Sequence, residues 1–164
     1  MAIPASLQSG LKLPVIASPM FLVSGPDLVV EACNAGVIGT FPSLNQRTTE
    51  GYREWLHEIK SRLKPDAAPF GVNHIIHPTN SRLMADMMVS VEEKVPLIIT
   101  SLGAVRDVVD AVHGYGGVVF HQCASCAQGG RGGRRRADPG RQRRGRARRR
   151  GEPLRPDQRS ARLL

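Results

Sequence analysis

The sequence predicts an α/β fold built on a parallel sheet, with about five strands and four helices across residues 1–121. Three features predict it. Short apolar runs alternate with stretches of helical periodicity. The helical stretches are about 10–15 residues long, the length that carries a chain back for a right-handed parallel crossover. The apolar runs are continuous rather than alternating, as in strands buried on both faces. An open doubly wound sheet and part of a barrel both satisfy this pattern, and periodicity does not choose between them.

Each element has its own reason. Val15-Ile16-Ala17-Ser18-Pro19-Met20 is a short apolar run ending in a turn. Pro26-Asp27 opens the first helix, because proline at a first turn lacks only an N–H that would go unpaired. That helix places Leu28, Val29, Ala32 and Cys33 on one face and ends at Asn34-Ala35-Gly36. The second strand is Val37–Phe41. Thr48-Thr49-Glu50 begins a second helix running to about Leu63, with Tyr52, Trp55, Ile59 and Leu63 as its buried stripe. Pro69–Ile76 supplies the third strand, and Asn80 or Ser81 is the expected cap of a helix to about Lys94. Leu97–Gly103 is the fourth strand, Val105–Gly116 the fourth helix, and Val118–His121 the fifth strand.

The chain has 164 residues, and its composition breaks near His121. Residues 1–121 hold 9 Lys and Arg against 11 acids, with all seven aromatics and all five histidines. Residues 122–164 hold 14 Arg, no Lys and 3 acids. The high pI therefore belongs to the second segment. No apolar run approaches the roughly 18 residues of a membrane span, and the N-terminus lacks the basic and apolar regions of a secretory signal. Three cysteines make no disulfide framework. A cytoplasmic location is the expectation.

Polar residues gather at the predicted strand ends: Ser18, Met20, Ser43, Asn73, His74, His77, Thr100, Ser101 and His121. In parallel α/β folds ligands bind at that edge, where helix N-termini also point. The plainer reading of each residue, that it satisfies loop backbone, is outweighed by the set. His74 and His77 have no carboxylate or cysteine nearby, so no metal site is expected. The sequence contains no dinucleotide fingerprint, no P-loop and no legible Ser/His/Asp arrangement.

Leu13-Pro14-Val15-Ile16-Ala17-Ser18-Pro19-Met20, then Cys33-Asn34-Ala35-Gly36-Val37-Ile38-Gly39, then Phe70-Gly71-Val72-Asn73, resemble the N-terminal half of the nitronate monooxygenases, formerly 2-nitropropane dioxygenases. The resemblance covers residues 11–121 in order, and a related branch includes flavin-dependent enoyl-ACP reductases. It implies a TIM barrel, of which this chain supplies about five of eight strands, with FMN at the strand C-termini. It implies oxidation of an alkyl nitronate by the flavin, with O₂ as reoxidant. The chain around Pro19-Met20 would lie against the flavin ring, Asn73 would hydrogen-bond the cofactor, and His121 would line the site. With Ser18 and Ser101 from the same strand ends, these form the expected cofactor set. The family's later Gly-Gly-His-x-Gly motif, whose histidine faces substrate, and its Gly-rich phosphate loops do not occur in the sequence.

Residues 122–164 contain no aromatic, Ile or Val and no helical stripe, so the expectation is a disordered tail. Its arginines suit phosphate contacts, which makes a nucleic-acid-binding arm the alternative function, and an inert fragment the third. Cys123-Ala124-Ser125-Cys126 has the CxxC spacing without the following helix or second ligand pair that redox or zinc chemistry needs. The composition also fits an out-of-frame GC-rich gene. Gly145-Arg146-Ala147-Arg148-Arg149 can be encoded GGG CGG GCA CGC CGG, and dropping one base reads Gly-Gly-His-Ala-Gly, the missing family motif. The tail is accordingly expected to be out of frame.

Overall fold

A computed structural model describes residues 3–103 and 106–122. Local chemistry sets the helix boundaries. Helix α1 (Pro26–Ala35) starts on its proline and stops at Gly36, whose φ of +91° suits only a residue without Cβ. The Gly36 N–H closes the last turn onto the Ala32 and Cys33 carbonyls. Helix α2 (Thr49–Arg62) begins at Thr48, whose hydroxyl accepts from the Gly51 N–H at 3.0 Å. Glu50 sits at its positive end and Lys60 and Arg62 at its negative end, complementing the helix dipole. Helix α3 (Leu83–Glu92) lacks the expected side-chain cap. Asn80 instead turns its amide back onto the Ile75 carbonyl at 3.0 Å, and Arg82 occupies the cap position. Helix α4 spans Arg106–Gly114.

The strands are β1 (Thr40–Pro42), β2 (Gly71–Ile75), β3 (Leu97–Ser101) and β4 (Val118–Gln122). All pairings are parallel and the spatial order is β1-β2-β3-β4. A doubly wound sheet reverses its order partway. This sheet advances by one neighbour at every step, as a barrel does. The first predicted strand contracts to a single parallel bridge, Ile16 to Ile38, beside β1. Pro14 and Pro19 flank it and can donate nothing to a ladder. The Thr40 hydroxyl donates to the Ala17 carbonyl and completes the attachment. The second strand begins at Thr40, three residues later than expected.

Two apolar layers cover the sheet. Outside, Val29, Val30, Cys33, Tyr52, Leu56 and Ile59 from the helices meet Phe41, Val72 and Ile98 from the strands, all essentially buried. Inside, Leu7 from a short 3₁₀ turn (Ala5–Leu7) packs on Ile38 and Leu97, with Leu11, Ile16 and Ile99 around them. Gly39 lets the chain entering β1 press on α1: a Cβ there would lie 2.5 Å from the Val29 carbonyl oxygen. Residues 123–164, expected to form a disordered tail and carrying the CxxC pair, lie outside the described residues.

Candidate functional site

Strand side chains alternate between the two faces, and paired residues share a face. The register therefore sorts the strand-end polar residues into two groups. Asn73 pairs with Ile99, and Ile75 with Ser101, on the inner face. His74 pairs with Thr100, and Thr100 with His121, on the helix-covered face.

The inner group forms a small polar constellation at the carboxyl end of β2 and β3. The buried Asn73 amide Nδ2 donates to the Ile99 carbonyl at 3.2 Å and to the Ser101 hydroxyl at 3.1 Å. Both contacts use the nitrogen, and the Oδ1 acceptor has no protein partner among the described residues. The segment after Ile16 runs over the same edge, with Ser18 exposed, Pro19 half-buried and Met20 exposed. Its shape is set by Asn45, a residue the sequence does not mark. Asn45 Nδ2 donates to the Met20 and Ser24 carbonyls at 3.0 and 2.8 Å, and its Oδ1 accepts from the Leu22 N–H at 3.0 Å. The Ser24 hydroxyl accepts from the Met20 N–H at 2.9 Å. This clamp presents Met20, Phe21, Leu22 and Val23 to solvent.

The outer group does not join that constellation. His121 was expected to line the cofactor site, but its Nδ1 lies 2.9 Å from the Thr100 hydroxyl, on the side facing the helices. The one-residue step from Phe120 to His121 changes face, and this removes His121 from the inner edge. His74 is fully buried, and its Nε2 contacts the Ser90 hydroxyl at 2.8 Å, beside the Tyr52 hydroxyl at 2.7 Å. Ser90 spends its own proton on the Asp86 carbonyl, so Tyr52 and His74 are the donors and His74 carries its proton on Nε2. Its Nδ1 has no partner. Burial with nothing to accept a second proton drives the His74 pKa down to about 3.

Beside the inner constellation, the loops after β1 and β2, with Phe21 and Leu102, border an open cleft of about 650 Å³. Arg82 holds these loops together. It donates to the Gln46 and Ser43 carbonyls at 2.9 and 3.3 Å and pairs with the fully buried Asp86 at 3.0 Å. Asp86 also accepts from the Thr49 hydroxyl at 2.7 Å. His77, the second histidine of the predicted pair, lines this cleft while His74 faces the helices, and no metal-binding cluster occurs among the described residues. No helix among the described residues is long and apolar enough to cross a membrane.

No family model matches the chain, and no curated protein matches it. Solved structures do. A methionine-to-alanine mutant of FabK from Thermotoga maritima superposes with a TM-score of 0.62 at 22% identity, over 72% of this chain and 38% of that one. A second structure of FabK from the same organism gives 0.60 at 21% identity, over 70% and 35%. The chain thus spans well under half the length of the solved structures it matches. At this identity the likeness speaks for architecture: the described residues have a partial TIM-barrel-like α/β fold, with a parallel sheet of four strands and four helices among them.

Proposed function

We propose that the carboxyl edge of this sheet seats the ring of a flavin, FMN, and that the chain is built for oxidoreductase chemistry on alkyl nitronates with O₂. The observation that carries the reading is Asn73. Its amide is immobilised by Ile99 and Ser101, and its free Oδ1 suits a ring N–H donor. The exposed apolar loop Met20–Val23, held by Asn45, offers a surface for a planar aromatic group. The architecture shared with FabK supports the same reading. A bound flavin would supply the two-electron acceptor that O₂ renews. Among the chain's own groups, Asn73 would orient the ring, Ser101 would hold Asn73, and Ser18, Pro19 and Met20 would border it.

The test is FMN titration into the full chain, followed by quenching of flavin fluorescence. Oxygen uptake on adding an alkyl nitronate is then measured. The expected result is saturable binding, weakened at least tenfold in Asn73→Leu while the variant still melts cooperatively. Absence of FMN binding by the native chain, or equal affinity in the variant, overturns the proposal. The alternative, nucleic-acid binding through the 14 arginines of residues 122–164, predicts RNA affinity that collapses between low and moderate salt and survives Asn73→Leu.

A further inference from the structure

We infer that the 650 Å³ cleft beside the Asn73 constellation binds an amphipathic anion, a molecule with an aliphatic chain and a carboxylate or phosphate head, its head held by Arg47 and His77. The volume falls within the range of small-molecule sites. The inference rests on the same carboxyl-edge site as the flavin reading, and it concerns binding alone.

The lining divides by chemistry. Phe21, Leu44, Ile75 and Leu102 form an apolar wall. Phe21 and Leu102 remain 63% and 73% exposed. Leu102 holds a left-handed backbone with φ of 65°, which costs a leucine energy and turns the chain just past β3. An exposed apolar pair at the mouth of a cleft is covered when an aliphatic chain lies against it.

The other wall is cationic. Residues 1–121 carry more acids than Lys and Arg, yet no Asp or Glu lines this cleft. Arg82 is committed to Asp86 and to two carbonyls. Arg47 pairs with no carboxylate among the described residues, so its guanidinium is the uncompensated charge. His77 adds a directed donor. The Thr79 N–H points at His77 Nδ1 at 3.3 Å, with the Thr79 hydroxyl 2.8 Å from the same atom. That contact makes Nδ1 the acceptor and leaves the ring proton on Nε2, which has no partner among the described residues. A planar guanidinium and an imidazole N–H together suit an oxyanion.

The experiment titrates decanoate, decyl phosphate, decanol and inorganic phosphate into the full chain without flavin, read by calorimetry. Decanoate or decyl phosphate should bind at least tenfold more tightly than both decanol and inorganic phosphate. Whichever of the two binds better identifies the head. Arg47→Gln should lose at least tenfold toward the anion and leave decanol unchanged, and Phe21→Ser should weaken both. Arg47 is an exposed side chain, and equal melting temperatures of variant and native chain show that its fold is kept. Equal binding of decanol and decanoate, equal binding of inorganic phosphate and decyl phosphate, an unchanged Arg47→Gln, or no binding of either anion each overturns the inference. FMN binding is measured separately, so the flavin reading and this one can fail independently.

Discussion

The buried imidazole of His74 makes one strand residue a determinant of acid stability. In the unfolded chain its pKa is near 6.5, and in the fold it is about 3. The unfolded state therefore binds the extra proton first as pH falls. The fold is unaffected by this group above 6.5 and loses stability progressively from 6.5 down to about 3, at up to ~1.4 kcal/mol per pH unit. Between pH 6.5 and 5 the melting temperature should drop, and His74→Gln, which keeps a donor for Ser90, should flatten that slope. Equal slopes would show that other groups dominate. Leu102 gives a second residue-scale prediction. Leu102→Gly should raise stability by about 1 kcal/mol through relief of its left-handed backbone. It should also weaken decanoate binding, which separates backbone strain from the apolar wall. The strand-end residues were legible as a set, but their faces were not. Strands buried on both sides are apolar at every position, so hydrophobicity gives no parity. Asn73 and His74 look equivalent until the register assigns one to each face.

The helices are tied to one another by side chains as well as by the sheet. Glu93, just past α3, receives Lys60 at 2.6 Å, His57 at 2.8 Å and Arg53 at 3.2 Å, all from α2. Lys60 foremost, and His57 after it, hold its carboxyl down to about 2 against the opposing effect of burial. The contribution is full above the ordinary glutamate range and is lost as pH falls toward 2, a window below that of His74. Glu93→Ala should lower the melting temperature by a few degrees, with the deficit shrinking in 1 M salt. Cys33 joins α1 to the strands: its thiol accepts from the Gly39 N–H at 3.3 Å and donates to the Pro69 carbonyl at 3.5 Å. Burial pushes that thiol up. In a C123S/C126S background Cys33 should resist a thiol reagent until the chain unfolds. Most elements were readable because periodicity and punctuation agreed, as at Pro26, Thr48 and Gly36. The first strand was not, because an apolar run between two prolines reads as a strand while offering the sheet too few donors. The Asn45 clamp had no signal, since its three partners lie more than twenty residues back along the chain.

The sheet as a whole is wound in one direction, and among the described residues β4 pairs on one side only. Phe120 lies on that strand and is 39% exposed on the inner face. An unpaired strand with an apolar neighbour invites another strand. The purified chain should self-associate as its concentration rises, and Phe120→Lys should reduce that association in light scattering without lowering the melting temperature. A native chain that stays monomeric at high concentration would refute this. The same one-way winding bears on how the chain is made. Each strand docks beside the one synthesised just before it, and no later strand is inserted between earlier ones. A nascent chain emerging from the ribosome can thus add each β-α unit to a finished neighbour, with its contacts already within reach. The growing end carries an open edge at every stage, so the period of its exposure during synthesis is set by the pace of translation through the next unit.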